Sequence, residues 1–460
     1  MHFAIGGDRM SDSSVSERES APDIIASPSI SPFIDEPDER TNRAGAEQAL
    51  RRPVEQPAAA RSRSAEWSGA GSVRVNLSLH GDLDAIEQEW RTFEPRAACT
   101  VFQLFDWLAK WQRHVGSRRG TIPAIVCGRD DDARLLFILP LAIEMRGPVR
   151  CLVWLGSELC DYNAPVLCER FACQIGAGAF ARLWRDVIRL LRTNPRCRFD
   201  LIDLEKMPET IGRHRNPLLD LPVLANPSGA HIATLAGDWD RFYAAKRSAS
   251  TRKRERGKLK QLGQHGEVRF VHVQDRADVA RTMDTLIFQK ERSFARIGVE
   301  NIFARPGYRE LVCDVAADPG MRELVHVGRM DVGATMGATS LGLTFRGCYY
   351  LLFSSYEDGD LARFGPGRAH LHELLRHAID RGFARFDFTI GDEAYKREWS
   401  DIELKLYDHL AANTLRGWAV VAMIAAFRKT KRFIKQTPPL WRAFSKARAM
   451  AGRLSRRAGR

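Results

Sequence analysis

The sequence has no paired-cysteine pattern. Its nine cysteines, at 99, 127, 151, 160, 168, 173, 197, 313 and 348, contain no C-x-x-C and no zinc-type spacing, and their number is odd. That argues against a disulfide framework and fits a reduced, cytoplasmic setting. Long apolar runs are missing as well. The longest candidate, Trp418 to Phe427, has ten residues, about half of what crosses a bilayer. The first thirty residues are acidic and polar without the apolar core of a secretory signal. There is no Ser-His-Asp order and no H-E-x-x-H, so neither serine-hydrolase nor zinc-protease chemistry has a foothold. His370, His372 and His377 share one expected helix, but spacings of 2 and 5 keep them off a common face, and no metal is expected. Acids are absent from residues 428–460, where twelve Lys or Arg nearly account for the whole net charge of +13. The rest of the chain is close to neutral.

What is present is a globular chain of 460 residues with 44% hydrophobic content, enough for two domains with real cores. Residues 1–71 are rich in Ser, Pro, Ala and charged groups and read as disordered. Order is expected from SVRVNLSLH at 72–80, where apolar and polar residues alternate as in a half-buried strand. Helices are expected near 83–93, 102–115 and 180–191, and strands near 122–127, 135–143, 151–155 and 199–204. The order then repeats: strand 268–273, helices 279–294 and 308–315, strands 324–330 and 338–345. Trp107 and Trp111, at i and i+4, belong to a packed core before they belong to a groove.

The most informative stretch runs from Cys348 to Trp399. An apolar β-prone run, 348–355, leads through a turn-rich segment to Gly365-Pro366-Gly367. Leu371, Leu374, Leu375, Ala378 and Ile379 then recur with helical period until Gly382, and Phe386 and Phe388 alternate with polar residues as in a strand. The unit is strand, glycine loop, helix, strand. Such a helix N-terminus suits a phosphate, although Gly-Pro-Gly is equally a tight turn. Arg198-Phe199-Asp200 and Arg385-Phe386-Asp387 open the last strand of each half, so the chain reads as two copies of one fold.

The order of strand, PG loop, helix, FDF strand and G-x-E-x-Y-K (Gly391, Glu393, Tyr395, Lys396) resembles the acyltransferase domain of the GNAT superfamily found in CelD-type cellulose-biosynthesis proteins, relatives of the Fem-type aminoacyl transferases. FQLFDWLAKW at 102–111, ILPLAI at 138–143, Asp161-Tyr162 and the basic stretch 248–270 agree with it, and the resemblance covers roughly 73–407. The usual pyrophosphate loop is Q/R-x-x-G-x-G/A; counted from Arg363, the glycines here fall one place early. The resemblance implies an α/β protein of two tandem GNAT-like domains, 72–235 and 236–415, between the disordered leader and a basic amphipathic tail, 416–460.

It also implies roles. Acyl-CoA would be the donor, without a metal, and Ser354, Ser355, Arg363, Gly365, Pro366, Gly367 and Arg368 would hold it. A backbone N–H near Phe353 to Ser355 would meet the developing oxyanion. Proton traffic would fall to Asp387, Glu393, Tyr395 and Lys396, with Asp161, Tyr162 and Asp392 on the acceptor side. Each has a plainer use as an ion pair, turn, cap or packing residue. The acceptor would be a small molecule or saccharide, plausible in cellulose or exopolysaccharide metabolism. The tail fits an anionic membrane surface or a synthase complex. Nucleic acid is not expected, except as charged tRNA if the chain is a Fem-type transferase, for which the basic run Lys246 to Lys260 would serve. A third alternative is a non-catalytic scaffold.

Overall fold

The computed structural model describes residues 62–65, 74–156, 158–176 and 178–437. The expected disordered leader up to residue 61 and the tail beyond 437 lie outside the described residues. Ser62–Ala65, expected within that leader, instead forms a strand antiparallel to β1 (Val75–His80), with Ser62 opposite Ser78.

In the first half, β1, β2 (Ile125–Arg129) and β3 (Leu135–Leu139) are neighbours in one sheet, and β4 (Leu141–Arg146), β5 (Val149–Trp154) and β6 (Leu201–Pro208) in another. The single strand expected over 135–143 is two, because Pro140 between them has no N–H to give a ladder. The helix expected over 102–115 is likewise shorter: a 3₁₀ turn ends at Gln103, α1 spans Phe105–Trp111, and a π-turn follows. Trp107 and Trp111 are fully buried. Helix α2 (Phe180–Thr193) connects β5 to β6.

In the second half the large sheet runs β8 (Val268–Val273), β9 (Val325–Val332), β10 (Thr335–Phe345), β11 (Cys348–Tyr356), β12 (Arg385–Ile390), then β7 (Ala230–Thr234) and Ile402–Leu404. Helix α3 (Ala249–Leu262) precedes β8, α4 (Arg276–Ile297) and α5 (Tyr308–Ala317) follow it, and α6 (Pro366–Asp380) crosses from β11 to β12. Leu371, Leu374, Leu375 and Ala378 bury the inner face of α6 against Phe386 and Phe388. Each buried leucine contributes about 2 kcal/mol.

The two halves repeat one device. In each, a crossover helix joins two parallel strands that pair only briefly: Cys151↔Leu201 and Leu152↔Ile202 in the first, Cys348↔Arg385 to Tyr350↔Asp387 in the second. Beyond those pairs the strands part. Aligned on the cysteines, Asp203 matches Asp387, so the Arg-Phe-Asp echo of the sequence is three residues out of structural register. The halves also exchange strands. β7 lies before the second half in sequence yet pairs with β12, and β13 (Leu406–Ala412) pairs back with β6. One hydrophobic core spans both halves, with Trp107 and Trp111 beside Met283, Leu286, Tyr308 and Leu311. Lys110 crosses the same junction to Asp314 (2.9 Å) and Asp318 (2.7 Å).

Candidate active site

Two polar places flank the parting of β11 and β12. The first is a cleft of ≈1140 Å³ at the N-terminus of α6, lined by Gly365, Gly367 and Arg368 of the loop, by Arg254 and Glu255 of α3, and by Tyr356 at the end of β11. Gly365 is left-handed (φ 69°), a conformation glycine adopts without cost, and Pro366 opens the helix. Proline carries no N–H, and the Arg368 amide already donates to the Gly365 carbonyl at 3.1 Å. The first-turn amide of Gly367 is therefore the donor left for an anion. Glu255, the one acid of the basic run, turns inward: it accepts from the Tyr243 hydroxyl and from Arg368 (3.0 Å). Arg368 is thus held in place by a carboxylate, while the flanking cations of α3 face the cleft.

The second place is a buried cluster between the halves. Tyr162 donates its hydroxyl to Asp387, 2.7 and 2.8 Å from the two carboxylate oxygens, and the Thr389 amide donates to Oδ1 at 2.7 Å. Gln103 fixes the tyrosine by donating to its carbonyl at 2.8 Å, and Phe102 and Tyr350 pack edge-on around its ring. Thr389 is strained, with φ 60° for a β-branched residue. Burial pushes the Asp387 carboxyl up to about 7, against the pull of Tyr162, the Thr389 amide and Lys396. Lys396, itself buried, donates to the Ile390 carbonyl at 2.8 Å and sits 3.2 Å from Glu393, whose oxygens accept no well-formed hydrogen bond.

The matched aspartate of the first half is treated differently. Asp203 is bracketed by Arg146 (2.6 Å) and Arg428 (2.8 Å), which hold its carboxyl below the usual range despite its burial. Only the second copy keeps an aspartate free of an arginine partner and able to exchange a proton near neutral pH.

Of the residues singled out from sequence, Tyr162 and Asp387 are in contact, and Asp161, Glu393 and Lys396 share their surroundings. Asp392 is half-buried and accepts from Ser228 at 3.3 Å. Tyr395 packs edge-on against Phe388 in the core beneath α6, with the Glu393 charge acting on its hydroxyl. Ser354 and Ser355 are buried on the part of β11 that has left β12, and Arg363 is exposed over the Phe364 ring; none of the three lines the cleft. Lys290 was not anticipated. It is 0% exposed, its Nζ has no hydrogen-bond partner, and the rings of Phe294 (5.4 Å) and Phe353 (6.0 Å) face it. Burial pushes it down to about 8, with the Glu393 carboxylate pulling the other way. The sequence carried a signal: Lys290 stands in the apolar stripe Met283, Leu286, Ile287, Phe294 of α4, where a charge is out of place.

The family model described as an acetyltransferase (GNAT) domain matches residues 249–397, which carry α3, the cleft loop and β12. That segment of the second half is thus similar to a GNAT acetyltransferase domain. Among solved structures the chain is similar to FemX, at 10% identity and a TM-score of 0.47 over 71% of this chain and 94% of that one. It is similar to a tandem GNAT protein from the clavulanic acid biosynthesis pathway, at 12% identity and a TM-score of 0.39 over 74% and 99%. It is also similar to the C-terminal domain of a lysylphosphatidylglycerol synthetase from Agrobacterium fabrum, at 10% identity and a TM-score of 0.41 over 66% and 88%. No curated protein matches the chain.

Proposed function

We propose that this protein transfers an acyl group from acyl-CoA, held in the α6 cleft, to an amine or hydroxyl acceptor between the two halves. The observation that carries the reading is the buried Tyr162–Asp387 pair at the parting of β11 and β12, with its aspartate near 7. The acceptor attacks the thioester carbonyl, a C–N or C–O bond forms, the C–S bond breaks, and CoA leaves as thiol. Asp387 takes the acceptor's proton and passes it on to the departing thiolate, Tyr162 holds the carboxylate in one orientation, and amides on the freed edge of β11 face the charge that develops on the carbonyl oxygen. Lys290 supplies an uncommitted cation for an anionic group of the ligand.

The CelD-type resemblance supports a saccharide acceptor in cellulose or exopolysaccharide synthesis. The last helix, α7 (Leu415–Gln436), supports a cytoplasmic protein resting on an anionic membrane surface. Trp418, Met423, Phe427 and Phe433 are exposed along it among Lys and Arg, and no helix among the described residues is long and apolar enough to cross a membrane. Arg428 is not available to that surface, because Asp203, Glu205 and Asp408 hold it.

Thiol release from acetyl-CoA, followed across a panel of amino sugars, sugars and amines, tests the reading. Acceptor-dependent release lost in Asp387→Asn supports it; release indifferent to that change contradicts the assigned base. A second reading, transfer from aminoacyl-tRNA, rests on the cations that α3 adds to the cleft, Arg254, Arg256 and Lys258. It predicts donor binding that weakens steeply with salt.

A further inference from the structure

Three imidazoles meet between the free edge of the large sheet and the last turns of α6, away from both polar places described above. His272 comes from β8, His326 from β9 and His377 from α6, and one ring nitrogen of each lies within 4.8 Å of the others. Nδ1 of His272 is 2.8 Å from Nε2 of His326, and Nδ1 of His326 is 2.8 Å from the Tyr349 hydroxyl. The His377 ring lies 4.0 Å from that of His272 and 4.5 Å from that of His326, centroid to centroid. The helix period does separate the histidines of α6: His370 turns to Ser340 and Phe270, and His372 to Trp239 and Glu255. Only His377 joins this group. The set is assembled across three elements, where sequence spacing gives no sign of it.

Two features suit a cation. His326 has an outer partner: when its Nδ1–H donates to Tyr349, its Nε2 lone pair points at the other two rings, the arrangement that orients metal-ligating histidines. His272 is exposed and gives an ion a way in. An all-imidazole set matches zinc, copper or nickel and not the oxygen-seeking magnesium or calcium. Tetrahedral zinc with bonds of about 2.1 Å places its ligand nitrogens roughly 3.4 Å apart. The 2.8 Å pair must open slightly and His377, now stacked on His326 at 15°, must rotate toward them.

We propose that His272, His326 and His377 form a site for one zinc-class divalent ion, with the fourth position open to solvent beside His272. Bound there, the ion would clamp the end of α6 to the sheet edge and stabilise the helix whose other end shapes the donor cleft.

The test uses full-length, untagged protein freed of metal by a chelator and then dialysed. Zinc is titrated by calorimetry, and cobalt(II) is added to a second sample as a spectroscopic substitute. The expected result is one equivalent of zinc, the visible bands of tetrahedral cobalt, and a raised melting temperature. His272→Ala, at an exposed position, and His377→Ala should each weaken binding at least about tenfold, and Tyr349→Phe roughly tenfold through loss of the outer hydrogen bond. His214→Ala, remote from the cluster, should change nothing. No saturable uptake, or uptake that survives His272→Ala, overturns the site. Should His377→Ala not fold, the His272 variant alone decides.

Discussion

Replacing Lys290 by Met should stabilise the protein and impair it. The lysine is fully buried without a hydrogen-bond partner, and its drop from 10.5 to about 8 measures the burden of keeping that charge in the core. That drop corresponds to roughly 3 kcal/mol at pH 7. The faces of Phe294 and Phe353 already offset part of it, so Lys290→Met, which fills the same space without charge, should gain about 2 kcal/mol. The pH dependence is distinctive. Below pH 8 the folded and unfolded chains both hold the proton and the burden is constant. Between about 8 and 10.5 the unfolded chain holds more protons, so wild-type stability rises with pH from this group, and the Met variant lacks that rise. Urea denaturation followed by tryptophan fluorescence at pH 7 and pH 9.5 reads both effects. A Met variant less stable than wild type by about 1 kcal/mol or more, or one with an unchanged pH response, would refute the reasoning and make Lys290 an ordinary structural residue. A stable variant with weakened transfer would show a charge retained for function at the expense of stability.

The other predictions concern the two aspartates. Asp387→Asn should lower kcat by about 100-fold or more without loss of fold, measured by thiol release. The rate should rise with pH through about 7 as Asp387 ionises; because the Tyr162 hydroxyl draws that carboxyl downward, Tyr162→Phe should move the rise to higher pH. A profile that stays put would remove Tyr162 from the account. Arg428→Ala leaves Asp203 with Arg146 alone and takes the arginine from Glu205 and Asp408, and should cost about 3 kcal/mol in urea, with little effect on donor affinity.

The unit from β11 through the glycine loop and α6 to β12 was legible almost residue by residue. Its helix carries an unbroken 3.6 period between Pro366 and Gly382, its last strand alternates cleanly, and the period fixes which face is buried. Tyr162 beside Asp387 was legible only as two separate candidates, since residues 225 positions apart meet through sheet geometry that no local pattern encodes. The strand exchange was not legible for the same reason. Ala230–Thr234 has five residues, and nothing in them states which sheet they join. Lys290 was overlooked because a lysine on a long helix is ordinarily solvated, and its place in the apolar stripe outweighs that habit only once the stripe is drawn. In the basic run the inward turn of its lone Glu255, which anchors the helix and occupies Arg368, was not legible, because the partners come from other elements.

Calorimetric titration of acetyl-CoA and CoA into the full chain, beside Gly367→Asp, tests the central claim most directly. An aspartate in the first turn of α6 is compatible with the helix dipole, so the variant should fold, yet it sets a negative charge at the amide left for the donor phosphate. The account predicts saturable binding by the wild-type chain that the variant loses. A folded wild-type chain that binds neither ligand would contradict it.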